Sequence, residues 1–181
     1  WPDPGCDLCG EKGTIRMMLY HLQSLLNSFR YAFRGLLLCL KTQRNLRLEL
    51  AAALWVIAAA LALELSGGEL AALLLCCGLV LSLELMNTAM EFTVDLCCPK
   101  PHPLAKAAKD AAAGGVLMAA VTAAAVGIVL FGRPDRLGAL FRLALASPLR
   151  VILLAGAAAL SALFIFLPCS RQRTEHKDTE D

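Results

Sequence analysis

Charge is scarce in this chain, and so are aromatic rings. Asp, Glu, Lys and Arg make up 18% of its 181 residues, and Phe, Trp and Tyr 6%. A soluble domain carries about a quarter charged residues, so the deficit argues against an ordinary globular fold. The shortage of aromatics argues against a lipid-facing β-barrel, whose rims are girdled by Trp and Tyr. The glycine motifs that cradle phosphates are lacking too. There is no GxxxxGK[ST] P-loop and no protein-kinase glycine-rich loop, so any nucleotide chemistry needs another scaffold. Trp1 to Lys12 has neither the basic start nor the apolar run of a signal peptide. Residues 1–16 are expected to form a disordered leader.

What is plentiful is aliphatic. Hydrophobic residues reach 58% and mean hydropathy is +0.63. The excess is mostly Ala and Leu, which suits closely packed membrane helices. Eight cysteines are present. Cys39, Cys76, Cys77 and Cys169 lie in or beside apolar stretches, where a thiol behaves as a small hydrophobe. Cys97 and Cys98 sit at a helix end. Cys6 and Cys9 make a single CxxC, and one such pair alone does not define a metal site.

Met17 to Lys41 carries apolar residues at helical spacing, with Arg30, Arg34 and Lys41 toward the margins. This pattern predicts an amphipathic helix on the membrane surface, its basic side chains reaching for headgroups. Three spans are expected at about 48–66, 69–95 and 111–131, each close to the ~20 residues a bilayer needs. Residues 132–148 read as a basic connector, 149–167 as a candidate fourth span and 168–181 as a polar tail. The fold class is therefore an all-α integral membrane protein. It comprises a surface helix and three transmembrane helices, with a candidate fourth span at the C-terminal end.

Basic residues set the orientation. Seven Lys and Arg precede residue 48, the 66–69 turn has none, and the 97–110 loop has Lys100, Lys106 and Lys109. The N-terminal helix and the 97–110 loop are thus expected on the cytoplasmic side. The 132–150 connector then falls outside with four Arg, against the rule.

The second span turns polar abruptly at Glu84-Leu-Met-Asn87-Thr-Ala-Met-Glu91-Phe-Thr-Val-Asp95. At 100° per residue these four polar side chains fall within about 80° of one another. A charge in mid-bilayer costs ~2.5–3.5 kcal/mol on the lenient scale, so such a stripe calls for a cation, a metal or an aqueous site. One carboxylate can accept an alcohol proton. Another can hold Mg²⁺ through nucleotide phosphates. The lysines of the following loop can neutralise a transferring phosphoryl group. The stripe also admits two other readings: a polar seam between helices, and the intramembrane carboxylates of a proton-coupled transporter.

Four ordered motifs resemble the prokaryotic diacylglycerol kinase family, which includes undecaprenol kinases. They are Ser28-Phe-Arg-Tyr31-Ala-Phe-Arg34-Gly35, Thr42-Gln-Arg-Asn45-Leu-Arg47-Leu-Glu49, the Glu84 to Asp95 stripe, and His102-Pro-Leu-Ala-Lys-Ala-Ala-Lys109-Asp110. The resemblance runs from about Ser28 to Phe131. It implies a homotrimeric lipid kinase of the cytoplasmic membrane that uses ATP and Mg²⁺ at the cytoplasmic face. By motif position, Glu84 would be the proton acceptor, supported by Asn87. Glu91 would ligate the metal. Tyr31, Gln43, Glu91, Asp95, Lys100, Pro101, His102, Lys109 and Asp110 would surround the nucleotide. Glu84, Arg34 and Arg47 would face the lipid. The family often has a second metal-binding Glu four residues before Arg47, and here that position is Gln43. Where some members place an Arg on the surface helix, this chain has Ser24. The loop His-Pro-Leu-Ala-Lys-x-x-Lys-Asp looks more like the undecaprenol kinases, so undecaprenol is expected over diacylglycerol. The expected partners are a membrane lipid and ATP, with no nucleic acid. A structural or regulatory membrane protein descended from a kinase is a further alternative.

Overall fold

The computed structural model describes residues 7–166. Cys6, Cys169 and the tail from 168, with Arg171, Arg173 and Lys177, lie outside them, and nothing is described of the Cys9 side chain. Six helices and no strands make up the described chain. They are α1 (Asp7–Thr42), α2 (Arg44–Ala62), α3 (Gly67–Cys97), α4 (Pro103–Phe131), α5 (Pro134–Leu145) and α6 (Pro148–Phe166). Four of them, α2, α3, α4 and α6, are long and apolar enough to cross a membrane.

Two compact units divide the chain, one ending at Leu38 and the other beginning at Cys39. In the first, α1 starts at Asp7 rather than at Met17, so the expected leader is helical over most of its length. No proline follows Pro4 until Pro99, so nothing in this segment blocks helix propagation. Ser28 returns its hydroxyl to the Ser24 carbonyl (3.0 Å), which satisfies a side chain that sits mid-helix.

In the second unit α3 packs against both α4 and α2, and α6 packs against α2. The helices are thus laid side by side in the order α4, α3, α2, α6, with α5 against α6. A single extended residue, Gln43 (φ −110°, ψ 115°), separates α1 from α2. At the other end of α2, the Leu65 N–H reaches the Ala60 carbonyl (3.1 Å) and the Glu64 N–H reaches Leu61 (3.2 Å). This is a Schellman-type stop. Glu64 takes the left-handed conformation (φ 51°) that glycine usually supplies there, at a cost of roughly 1–2 kcal/mol. Leu65 then packs on the small core formed by Ala60, Leu73 and Leu130.

Ser66 starts α3 with a capping box. Its hydroxyl accepts from the Glu69 N–H, while the Glu69 carboxylate accepts from the Ser66 N–H (3.0 Å) and hydroxyl (2.8 Å). The α3–α4 loop is short, residues 98–102, because α4 starts at Pro103 and not near 111. Proline suits the first helical position, and the His102 Nδ1 caps the helix by accepting from the Leu104 N–H (3.2 Å). Hydropathy marked where α4 becomes apolar, two turns after its backbone becomes helical. The 132–148 connector likewise holds a helix, α5, begun by Pro134 at its first turn.

An ionic clasp joins three elements at the 63–66 end of the bundle. Arg136 of α5 donates to Glu69 Oε1 (2.6 Å) and to the Leu130 carbonyl (2.7 Å) near the end of α4. At the opposite end, Arg47 of α2 donates to the Phe164 carbonyl in the last turn of α6 (3.1 Å). Between these ends, the Trp55 indole N–H donates to the Ser161 hydroxyl (3.1 Å). The Arg47 and Trp55 contacts fix α6 antiparallel to α2.

Candidate active site

Among the described residues, the buried polar side chains of the second unit are Arg47 (3% exposed), Glu84 (4%) and Thr88 (1%). All three lie toward the end of the bundle away from the clasp. Glu84 is held in the middle of α3 where α2 and α4 flank it. Thr88, one turn on, spends its hydroxyl on the Glu84 carbonyl (3.0 Å), so a polar residue sits inside the helix pack without an open demand. Asn87 donates its amide to Glu91 Oε1 (3.1 Å). That bond aims the Glu91 carboxylate back along the same face. One turn further, Lys109 of α4 pairs with Asp95 of α3 (2.5 Å) and ties the two helices together where the stripe reaches the loop.

The stripe is joined by a residue that the motif reading did not assign to the site. Glu49 of α2 is half-buried and lies within electrostatic range of Glu84, which in turn feels Glu91. Glu49 Oε2 is fully covered with no hydrogen-bond partner among the described residues, and so is Asn87 Oδ1. Three neighbouring carboxyl groups, with unpaired oxygens on Glu49 and Asn87, in an apolar setting are suited to a cation. The signal for Glu49 was in the sequence. It is the acid nearest the start of an otherwise uncharged span, but only the α2–α3 packing sets it beside Glu84.

Beyond the stripe, a pocket of ≈ 620 Å³ opens between the end of α3 and the start of α4. Asp95, Lys100, Pro101, His102 and Lys109 line it, joined by Lys106. The three lysines and the first turn of α4, whose N–H groups carry partial positive charge, suit an anionic phosphate chain. Asp110 follows Lys109 on α4 but is exposed and does not line the pocket. Gln43 is half-buried at the start of α2 and makes no capping bond. Arg47 is turned to Phe164 of α6. Tyr31 and Arg34 are exposed side chains of α1, three residues apart on one side of that helix.

Among the described residues, no three His, Cys, Asp or Glu side chains converge closely enough to ligate one ion. Mg²⁺ does not require that. It keeps several waters and is commonly held by one or two carboxylates plus substrate phosphates. Glu91 with the unpaired Asn87 Oδ1 fits that smaller donor set.

Residues 30–131 match the family described as prokaryotic diacylglycerol kinase. An undecaprenol kinase of Bacillus subtilis (strain 168) is 46% identical over 110 residues, which cover 61% of this chain and 89% of that protein. A diacylglycerol kinase of Synechocystis is 49% identical over 120 residues, 65% of this chain and 69% of that one. A diacylglycerol kinase of Pseudomonas aeruginosa is 36% identical over 89 residues, 49% of this chain and 72% of that one. No solved structure matches the chain. The matched segment takes in α2, α3 and α4 whole, and with them the carboxylate stripe and the lysine-lined pocket. The chain belongs to the prokaryotic diacylglycerol kinase family and is a membrane lipid kinase, a phosphotransferase.

Proposed function

We propose that this kinase transfers the γ-phosphate of ATP directly to the hydroxyl of a membrane lipid alcohol, undecaprenol in preference to diacylglycerol, at the cytoplasmic face of the cell membrane. The observation that carries the reading is the placement of buried Glu84 and the Asn87–Glu91 pair on the helix that ends at a pocket lined by three lysines.

In this reading the Glu84 carboxylate accepts the proton of the lipid hydroxyl as its oxygen attacks. Burial keeps bulk water from competing for that position, and the packing of α2 and α4 around this part of α3 holds the carboxylate still. Asn87 orients Glu91. Lys100, Lys106, Lys109 and His102 receive the phosphates, with Tyr31, Pro101, Asp95 and Asp110 around the nucleotide. Mg²⁺, when bound with the nucleotide, would screen phosphate charge; Glu91 and Asn87 Oδ1 would hold it from α3, and Gln43 of α2 is proposed to join them. Arg34 and Arg47 are assigned to the lipid side, Arg47 while buried against Phe164. The enzyme is proposed to act as a homotrimer. The choice of undecaprenol rests on the His102-Pro-Leu-Ala-Lys106-Ala-Ala-Lys109-Asp110 loop. The transporter alternative lacks comparable support, because a lysine-lined phosphate pocket has no part in moving protons.

One assay tests the whole reading. Purified protein in detergent is given labelled ATP, Mg²⁺ and either undecaprenol or diacylglycerol. Label should enter undecaprenol faster. Faster labelling of diacylglycerol would reverse the substrate assignment, and label in neither lipid would defeat the kinase mechanism proposed for these residues.

A further inference from the structure

A second apolar cleft lies away from the carboxylate stripe, between α2 of the matched family segment and the two helices beyond that segment. Helices α2, α5 and α6 enclose a cleft of ≈ 570 Å³, within the size range of ligand pockets. Its floor is Ala58, Ala59 and Ala62 of α2, and its walls include Leu140, Leu143 and Leu153. Among the described residues the one charged side chain that lines it is Arg150, in the first turn of α6.

Arg150 is exposed and is anchored at one point. A guanidinium N–H donates to the Leu143 carbonyl at the end of α5 (3.4 Å), which leaves most of its five donors for a ligand. Two of the neighbouring cations are already matched. Arg133 pairs with Asp135, and Arg136 with Glu69. Among the described residues Arg142 and Arg150 have no acidic partner. Arg142 makes a useful contrast. Taking Leu140 as zero at 100° per residue, Leu143 and Ala144 fall within about 60° of it and Arg142 at roughly 200°, on the far side of α5 from the cleft. Of these two, Arg150 combines an unmatched charge with an apolar slot beneath it. The helix that bears the cleft wall is itself amphipathic, with exposed Leu137 and Phe141, as in helices that lie at the membrane interface. A basic side chain at the mouth of an apolar gap between membrane helices is the chemistry that holds a phospholipid headgroup.

We propose that the α2–α5–α6 cleft holds one acyl chain of an anionic phospholipid, with its phosphate on Arg150. The charge selects an anionic headgroup over a zwitterionic one, and the alanine floor admits a linear chain. Arg150 lies at the start of α6 while Phe164, near its end, meets Arg47, so this lipid sits in the leaflet opposite the one that the Glu84 to Asp95 site faces. It is a bound lipid of the fold and not the kinase substrate.

Native mass spectrometry of the full chain tests this, with phosphatidylglycerol and phosphatidylcholine of identical acyl chains supplied in detergent. The wild type should retain phosphatidylglycerol at least five-fold more than phosphatidylcholine. Arg150→Gln should remove that preference, while Arg142→Gln should keep it within two-fold. Ala58→Phe, which fills the slot from an exposed position, should reduce retention of both lipids. Equal retention of the two lipids by the wild type would overturn the proposal without any variant being needed. An equal loss in Arg142→Gln would show diffuse charge rather than a site. Unchanged retention in Ala58→Phe would show that no chain enters the cleft. Lipid-independent cross-linking of Leu153→Cys between copies would identify a second chain as the occupant and overturn it as well.

Discussion

Glu84 illustrates how one side chain can be costly to the fold and still be held in place. It is 4% exposed, shares its surroundings with Glu49 and Glu91, and lies on a helix whose first half is apolar. A polar seam would leave such carboxylates paired across helices, yet among the described residues only Asp95 of the stripe has a basic partner on another helix. Replacing Glu84 by Gln keeps the volume and removes the proton acceptor. Turnover should fall by about 10²–10⁴-fold, the contribution of a general base, with the detergent-solubilised mass unchanged. Wild-type turnover in this variant would remove Glu84 as the base. Glu91→Gln tests a different role. It leaves the Asn87 contact possible but takes away the charge, so activity should fall and recover in part at raised Mg²⁺. A Mg²⁺ dependence identical to wild type would rule out a metal role. The spacing of three, four and four residues made this face legible from sequence alone. Glu49 was not, because its place beside Glu84 depends on how α2 packs on α3. Nor was Lys106 assigned to the nucleotide, although it lies in the same loop motif as Lys109.

At the scale of elements, caps decided what hydropathy did not. Ser66 with Glu69, and His102 with Pro103, begin α3 and α4 before either becomes strongly apolar. The apolar segments were therefore readable, but their first turns were not. The same reason hid α5, whose Arg133, Arg136 and Arg142 read as a basic connector. Glu69 serves two structures at once, since one oxygen closes the capping box and the other takes Arg136. The link is cooperative in consequence. Glu69→Gln and Arg136→Gln should each lower the melting temperature, and the double variant should lose less than the sum of the two, as expected when two residues share one interaction. Additive losses would mean that Arg136 acts through the Leu130 carbonyl and not through Glu69.

For the whole molecule the informative question is what α5 and α6 add. The family match ends at Phe131, and 89% of the Bacillus subtilis relative is used within 110 aligned residues. What remains of that protein is too short to hold helices of 12 and 19 residues. The Synechocystis relative, matched over 69% of its length, leaves more room. Sequence could mark α6 as apolar and long enough to span, but not its partner. That pairing rests on contacts 106 and 117 residues apart, Trp55 with Ser161 and Arg47 with Phe164, and no local pattern encodes such distances. These contacts join α6 to α2, the helix that also carries Glu49 and the buried Arg47, so the extension braces one wall of the site without supplying any of the proposed catalytic groups. Removing residues 134–181 should therefore lower the melting temperature, since α2 loses the Phe164 and Ser161 contacts of Arg47 and Trp55 and exposes the apolar face that packs on α6. Turnover per folded enzyme should stay within a few-fold of the full chain. A truncated protein that elutes as the intact assembly yet has lost all turnover would contradict this and make α6 part of the catalytic apparatus, acting through the position of Arg47. Restoring turnover with Arg47→Met, which fills the same space without a charge to satisfy, would then separate a packing defect from the loss of a needed cation.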